Sequence, residues 1–427
     1  MLVAHLGDHL EEEVELNGWI WNSRGSGKIR FLSFRDGTGF VPVVFALHDV
    51  GEEIFAKTKH IGQETSVKIR GVVKANPKNP SGLEILGADI QIVSESTDYP
   101  ITPKEHGTEF LIDHRHLWLR SPRQHAILKV RHQIISSIRA YFDDLDFTLV
   151  DAPIFTANEC EGSSTLFETE YFGENAYLSQ SGQLYMEAAA AAVGKAYCFG
   201  PTFRAENSNT RRHLTEFWMV EPEVAYMDLA GDMDLAEGLI HRVLKDVLEN
   251  NQKELKLLER NLEPLEKALK PFAKLHYSDA VKILHEAGEE FEWGEDFGGG
   301  HETIIAKQFD TPVIVHRYPR KCKAFYMKTD PENADLSLSM DVLAPEGYGE
   351  IVGGGQREES NEVLEKALVE HKIEREAFHW YLDLRTFGSF PHAGFGLGVE
   401  RTVAWVCGLP HVRETIPFPR MPRRLRP

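Results

Sequence analysis

The segment Cys198–Tyr226, CFGPTFRAENSNTRRHLTEFWMVEPEVAY, gathers residues suited to chemistry on a phosphate. Two apolar, strand-like stretches flank a polar loop, NSNTRRHLT. Arg204 and Glu206 are two apart, so on an extended strand they share one face. An arginine held there can fork onto phosphate oxygens. The nearby glutamate can orient it or accept from a ligand amine. Arg211, Arg212 and His213 add three donors in the loop, and Phe217 offers a ring for a base to stack on. For this segment alone, a surface hairpin with salt bridges is the alternative.

Two further segments carry related signals. Gly394–Arg401 reads GFGLGVER and runs into the apolar stretch TVAWVCGL. It is not a dinucleotide fingerprint, because Val399 stands where the third glycine belongs, and no Walker GxxxxGK[ST] occurs in the chain. Alternate glycines on a strand clear one face, so a flat ring could approach the backbone. Arg401 then falls at a helix start, where N–H groups and the helix dipole also favour anions. Tight packing of helix on sheet is the alternative. Asp341–Arg357, DVLAPEGYGEIVGGGQR, places Asp341 and Glu350 before a glycine run and Arg357. Carboxylates beside a phosphate site suit Mg²⁺, which takes one or two of them together with substrate phosphates. Ordinary turn carboxylates are the alternative.

The elements that must position these residues fall into two groups. Residues 1–96 predict a small all-β unit with strands at Val14–Arg24, Ile29–Asp36, Phe40–Leu47, Thr65–Lys74 and Leu83–Val93. Asp36-Gly37-Thr38-Gly39 marks a turn, and Asp49–Ile61 carries a short amphipathic helical pattern. Five strands with a helix between the third and fourth is the order of an OB-fold barrel, which often binds single-stranded nucleic acid. A barrel with no ligand is the alternative. Residues 97–111 read as a polar linker. The rest, 112–427, predicts a larger unit with a Lys/Glu-rich helical insertion at about 253–290. Within it, Ser121 caps a helix that opens on Pro122. Ile127, Val130, Ile134, Ile138 and Phe142 recur along that helix at helical spacing. Phe147–Val150 reads as a strand.

Composition limits the classes available. The chain has 427 residues, 42% hydrophobic and 26% charged, which is ordinary for a globular protein and excludes disorder or collagen for its bulk. Four cysteines, Cys160, Cys198, Cys322 and Cys407, form no CxxC and read as buried or indifferent thiols of a reducing compartment. Neither a signal peptide nor an 18-residue apolar run is present, so the expectation is a cytoplasmic protein without a membrane partner. The net charge of −19 argues at first against nucleic acid. Its distribution reverses that. Residues 1–96 hold 10 basic and 13 acidic residues, and 413–427 hold five arginines and one glutamate. The acidity therefore lies on the body between them. A polyanion held by local basic and aromatic patches should bind with a steep salt dependence.

Together the segments resemble the motifs of class II aminoacyl-tRNA synthetases. Phe147–Phe155, with Pro153, resembles motif 1. Phe203-Arg204-Ala205-Glu206 through Phe217 resembles motif 2, and Gly394–Arg401 resembles motif 3. With the barrel, the likeness is to the aspartyl/asparaginyl/lysyl subgroup. FRAENSNTRRHLTEFWMVEPE, SQSGQLY, GEIVGGGQR and PFPRM are most similar to its asparagine-specific members. The resemblance covers nearly the whole chain. It implies an α+β protein, an OB barrel joined to an antiparallel sheet flanked by helices, and a homodimer through motif 1. It implies ATP-dependent activation of L-asparagine to the adenylate, then transfer to the 3′ adenosine of tRNA, with Mg²⁺ and without a covalent enzyme intermediate.

The same resemblance assigns residues. Arg204 and Arg401 would be catalytic. Arg204 would grip the α-phosphate and the amino-acid carboxylate, and Arg401 the adenine face or the γ-phosphate region. Glu206 and the backbone near Leu214 would read adenine, with Phe217 stacked beneath it. Arg212 and His213 would meet the outer phosphates, and Gly398 joins this nucleotide set. Asp341 and Glu350 would hold Mg²⁺. Glu161, in ECEGSS, resembles the residue of a mobile loop that binds the substrate α-amino group. Ser181, Gln183 and Gly353 would line the amino-acid pocket. Arg357 would donate to the side-chain oxygen, and Glu221 would accept from its NH₂. Related aspartate enzymes carry a lysine where Met186 stands, so a cation is removed and a carboxylate supplied, which favours the amide. On the barrel, Arg24 and Phe31 would meet the anticodon. Members of the family commonly carry a glutamine for the middle base, and Pro42 stands there. Three rivals remain: a relaxed aspartate/asparagine enzyme, an asparagine synthetase-like paralogue, and an inactive tRNA-binding protein. The barrel, Arg204 and Arg401 weigh against the last two.

Overall fold

The structure, a computed structural model, describes residues 1–161, 166–208 and 210–427. The chain forms two compact units, Met1–His114 and Arg115–Pro427.

The first unit is a closed five-stranded barrel. Its strands are Glu13–Ser26, Ile29–Arg35, Phe40–Ala46, Ser66–Ala75 and Leu83–Ser94, and the last two exchange places in the barrel order. Alternation drives closure: Leu16, Ile20, Leu32, Phe34, Val43, Phe45, Val67 and Ile69 point inward and are almost wholly buried. The Asp36 turn forms as its residues predict. Asp36 Oδ1 accepts from Thr38 N at 2.9 Å, and Gly37 takes the positive φ of 88°. The helix Leu47–Lys57 connects the third and fourth strands.

The second unit is built on an eight-stranded sheet. In spatial order its strands are Ala273–His276, Val313–His316, Ser339–Ala344, Gly349–Gln356, His392–Gly398, Glu216–Ala225, Lys195–Phe203 and Thr148–Leu149. The five central pairings are antiparallel. Both edge pairings are parallel, so the sheet is mixed rather than purely antiparallel. The 253–290 segment is likewise not all helix. Its Ala273–His276 stretch adds an edge strand beside Val313–His316, because a Lys/Glu-rich periodicity does not reveal a four-residue strand.

The helix Pro122–Asp144 packs on this sheet. Ser121 caps it by accepting from Gln124 N, and Ile127, Val130, Ile134, Ile138 and Phe142 are fully buried. They share one core with Leu239, Val243 and Val247 of the helix Leu229–Asn250 and with Val220, Val352 and Leu397 of the sheet. That core fixes the sheet from behind and leaves the functional side chains on its other face. Among the described residues the four cysteines are free, and all but the half-buried Cys322 are buried. No described helix is long and apolar enough to cross a membrane.

Candidate active site

Three separate sequence segments converge on one cleft with about 640 Å³ of open space, the size range of small-molecule sites. Arg204, Glu206, Arg212, His213, Leu214, Phe217, Glu350, Gly398 and Arg401 all line it. These are the nine residues expected to meet the nucleotide.

The hairpin Lys195–Phe203/Glu216–Ala225 supplies the first group. Its register sets Thr202 opposite Phe217 and Phe203 opposite Glu216. The strand ends at Phe203, so Arg204 and Glu206 lie just beyond it rather than within it. Arg204 N still bonds to Thr215 O at 3.0 Å, which prolongs the pairing enough to turn both side chains into the cleft. The Arg204 guanidinium carbon sits 5.4 Å from the Phe217 ring centre. Its Nε is buried without a hydrogen-bond partner among the described residues. Burial opposes its charge, but Glu161, Glu350 and Glu206 outweigh that and raise its pKa. A cation held in this field with an uncommitted donor is prepared for an anionic ligand.

His392–Gly398 leads into the helix Val399–Cys407, which places Arg401 in the first turn as expected. Arg401 Nη1 donates to Glu350 O at 2.8 Å and to Glu350 Oε2 at 3.2 Å. The three glycines do not leave an open face. Met219 lies over Gly396, the Glu223 carboxylate lies over Gly394, and only Gly398 is free of close side chains. Long side chains of the adjacent strand lean across and fill the space. Arg212 is engaged as well, with Nη1 2.9 Å from Glu302 Oε2 and Nη2 3.0 Å from Thr303 Oγ1.

Asp341 and Glu350 come together around Gly353. Asp341 pairs with Gly353 across adjacent strands. A Cβ on Gly353 would lie 2.7 Å from Glu350 Oε1 and 3.3 Å from Asp341 Oδ1, so any larger residue there would press on the two carboxylate tips. Lys323 Nζ reaches Asp341 Oδ2 at 2.7 Å. Burial pushes the Asp341 carboxyl up to about 7, against the pull of Lys323 and with the push of Glu350. Burial also pushes Glu350 up, but Arg401, Lys323 and Arg204 outweigh it and hold Glu350 low.

The residues expected to meet the amino acid are organised by buried carboxylates. Ser181 Oγ donates to Glu221 Oε1. Gly182 N donates to Glu221 Oε2 at 2.7 Å, and Cys198 Sγ to the same oxygen at 3.4 Å. Glu221 therefore anchors the turn that starts the helix Gln183–Val193. Gln183 Nε2 is turned to Glu187 Oε1 at 3.1 Å. Glu161 Oε1 accepts from Tyr326 OH at 3.2 Å, and its backbone N donates to Gln180 Oε1 at 3.0 Å. The neighbouring 162–165 of the ECEGSS stretch lie outside the described residues. Met186 is fully buried in an apolar cluster with Ala196 and Cys198.

Arg357 faces Glu223. Nε lies 3.1 Å from Glu223 Oε1 and Nη2 lies 3.0 Å from Oε2, with the guanidinium carbon 5.6 Å from the Tyr326 ring centre. Both side chains are almost completely buried. Burial works against the Arg357 charge, but Glu223 and Glu187 more than offset it and raise its pKa. Nothing in the sequence sets Glu223 apart except its position two residues after Glu221, on the same strand face.

On the barrel, cross-strand register sets Arg24 opposite Phe31 and Phe31 opposite Val44, with Phe31 41% exposed. The adjacent row runs Asn22, Ser33, Pro42. Polar groups beside Pro42 thus come from its cross-strand neighbours.

These features define a protein of two units, a closed barrel and a mixed sheet whose cleft gathers arginines, carboxylates and an aromatic ring suited to a nucleotide. The model of the class II tRNA synthetases (D, K and N) matches residues 107–422, and that of the OB-fold nucleic acid binding domain matches residues 14–93. The chain belongs to the class II tRNA synthetase family. It is 60% identical to the asparagine–tRNA ligase of Sorangium cellulosum over 99% of this chain and 98% of that one. It is 54% identical to the asparagine–tRNA ligase of Desulforamulus reducens, over 100% and 99% of the two chains. Its fold matches the crystal structure of asparaginyl-tRNA synthetase from Pyrococcus horikoshii complexed with asparaginyl-adenylate, with TM-score 0.97, 42% identity, and 100% and 99% of the chains covered.

Proposed function

We propose that this chain is an asparagine–tRNA ligase: it activates L-asparagine with ATP and transfers it to the 3′ end of tRNA. The observation that carries the reading is the meeting of Arg204, Phe217, Glu350 and Arg401, drawn from three distant segments, around one cleft.

In the first step a carboxylate oxygen of asparagine attacks the α-phosphorus and pyrophosphate leaves. In the second a ribose hydroxyl of the terminal adenosine attacks the activated carbonyl and AMP leaves. Both steps need positioning and charge stabilisation rather than a protein nucleophile. Arg204 bridges the α-phosphate and the amino-acid carboxylate, using the donor it leaves uncommitted. Phe217 supports the adenine, with Glu206 and the Leu214 backbone at its edge. Arg401 meets the adenine face or γ-phosphate region, and Arg212 and His213 meet the outer phosphates. Glu161 receives the α-amino group.

Asp341 and Glu350 suit Mg²⁺. They are two carboxylates around one point, the Gly353 position between their oxygens. When bound, Mg²⁺ neutralises charge on the ATP phosphates.

Selection of the amide follows from charge. Arg357 alone would favour the aspartate carboxylate. Glu223 cancels that charge while leaving donors for the asparagine oxygen. Glu221 has about four acceptor sites and three are used, so one remains for the amide NH₂. Ser181, Gln183 and Gly353 shape the surrounding wall. Arg24 and Phe31 of the barrel meet the anticodon. Motif 1 forms the homodimer contact, and the enzyme works in the cytoplasm.

The test is pyrophosphate exchange with ATP in the presence of asparagine, aspartate or lysine. Exchange driven by asparagine alone supports the reading. Equal exchange with aspartate assigns the relaxed enzyme instead.

A further inference from the structure

Glu187 has no part in the steps described above, yet its side chain is wholly buried. It lies one turn after Gln183 on the helix Gln183–Val193. Four side chains converge on it. Gln183 Nε2 donates to Oε1 at 3.1 Å, and Tyr381 OH lies 2.8 Å from both oxygens. Arg385 Nη2 donates to Oε2 at 2.6 Å, and His392 Nε2 lies 3.0 Å from the same atom. Burial pushes the Glu187 carboxyl up, but Arg385, His392 and Arg357 outweigh it and hold it below the usual carboxylate range.

An ionised carboxylate only accepts, so the Gln183 amide must turn its NH₂ toward Glu187. Its Oε1 is thereby turned the other way, as an acceptor. The partners of Glu187 also hold the backbone at Arg357. Arg385 Nε donates to Glu358 O at 2.9 Å, and His392 O accepts from Arg357 N at 2.9 Å. One buried charge thus joins Gln183 to the strand end that carries Arg357.

We propose that Glu187 is a positioning residue for the amino acid. Its charge sets Gln183 as an acceptor for the N–H donors of asparagine. Through Arg385 and His392 it also fixes the backbone from which Arg357 reaches the side chain. The proposal rests on the synthetase reading, because asparagine is the ligand it orients.

The test is asparagine-dependent pyrophosphate exchange by the full-length protein and by Glu187→Gln, which keeps the shape and removes the charge. KM for asparagine should rise at least tenfold, while KM for ATP and kcat stay within threefold. A structural role alone would lower the active fraction, and with it kcat, without singling out asparagine. Gln183→Ala should also raise KM for asparagine. The double variant should lose less than the product of the two single losses, because the two side chains act as one. Unchanged KM for asparagine, equal rises for asparagine and ATP, or losses that multiply overturn the proposal. If Glu187→Gln does not fold, Tyr381→Phe carries the comparison, since it removes one hydroxyl from the carboxylate and leaves every charge in place. It should raise KM for asparagine at least threefold with KM for ATP unchanged, and no change is fatal. Absence of asparagine-dependent exchange in the wild type would overturn the synthetase reading rather than the role of Glu187.

Discussion

Glu223 reaches Arg357 by passing over Gly394. Glu223 and Gly394 are cross-strand partners, and a Cβ on Gly394 would lie 2.3 Å from Glu223 Oε2 and 2.2 Å from Pro222 O. The missing side chain of one strand is thus what allows a buried ion pair to span it.

Replacing Glu223 by Gln should leave the Arg357 charge uncompensated. Aspartate-dependent exchange should rise relative to asparagine-dependent exchange by about tenfold or more, the equivalent of about 1.4 kcal/mol. Breaking a buried pair should also cost about 3–5 kcal/mol of stability, seen as a lower denaturation midpoint. An unchanged aspartate-to-asparagine ratio would remove Glu223 from selection.

Gly394→Ala should disturb the same pair from the other side. Crowding of this kind costs about 1–3 kcal/mol, and here the nearest backbone atom cannot rotate away. Urea titration should show the loss, and discrimination against aspartate should weaken with it. A variant as stable and as selective as wild type would show that the strand shifts without penalty.

Arg204→Lys should reduce exchange on the order of 100-fold, as removal of a preorganised donor does elsewhere. A lysine keeps the charge but loses the planar fork. Because Arg204 Nε holds no partner among the described residues, thermal stability should change little. A large stability loss with intact exchange would contradict the assignment.

Phe31→Ala should weaken tRNA charging while leaving exchange untouched, since exchange needs no tRNA. Stacking on an exposed ring is worth about 1–3 kcal/mol per base, so kcat/KM for tRNA should fall about tenfold or more. Equal charging by the variant would remove Phe31 from tRNA recognition.

His392 should report on the buried Glu187 network. His392 Nε2 lies 3.0 Å from Glu187 Oε2, and Arg385 Nη2 lies 2.6 Å from the same oxygen. Burial opposes the imidazolium, but Glu187 outweighs it and raises the His392 pKa. A raised folded-state pKa means that the stabilisation is full below the ordinary histidine range and fades as pH rises through the folded value. The stability gap between wild type and His392→Asn should therefore narrow from pH 6 to pH 9. A constant gap would show that His392 does not titrate with the fold.

Much of this arrangement was legible in the chain. The five barrel strands, the Asp36 turn, the Ser121-capped helix and its five buried residues follow from period, capping and turn chemistry, which act within a few residues. The nucleotide residues could be named from their types and from likeness to known motifs. Other features were hidden because they depend on contacts between distant segments. Nothing in GFGLGVER says that Met219 and Glu223 cover Gly396 and Gly394. Nothing in MVEPE says which glutamate Arg357 would meet, 134 positions away. The short strand Ala273–His276 exists because Val313–His316 is there to pair with it.

By itself, then, the sequence determined the barrel, the main helix and the residue types able to bind a phosphate and stack a base, since these are local chemistry. The tertiary structure decided which carboxylate neutralises Arg357, which pair closes around Gly353, and that Glu187 meets Gln183, Tyr381, Arg385 and His392 at one buried point. Those outcomes rest on sheet order and register, and long-range packing sets both.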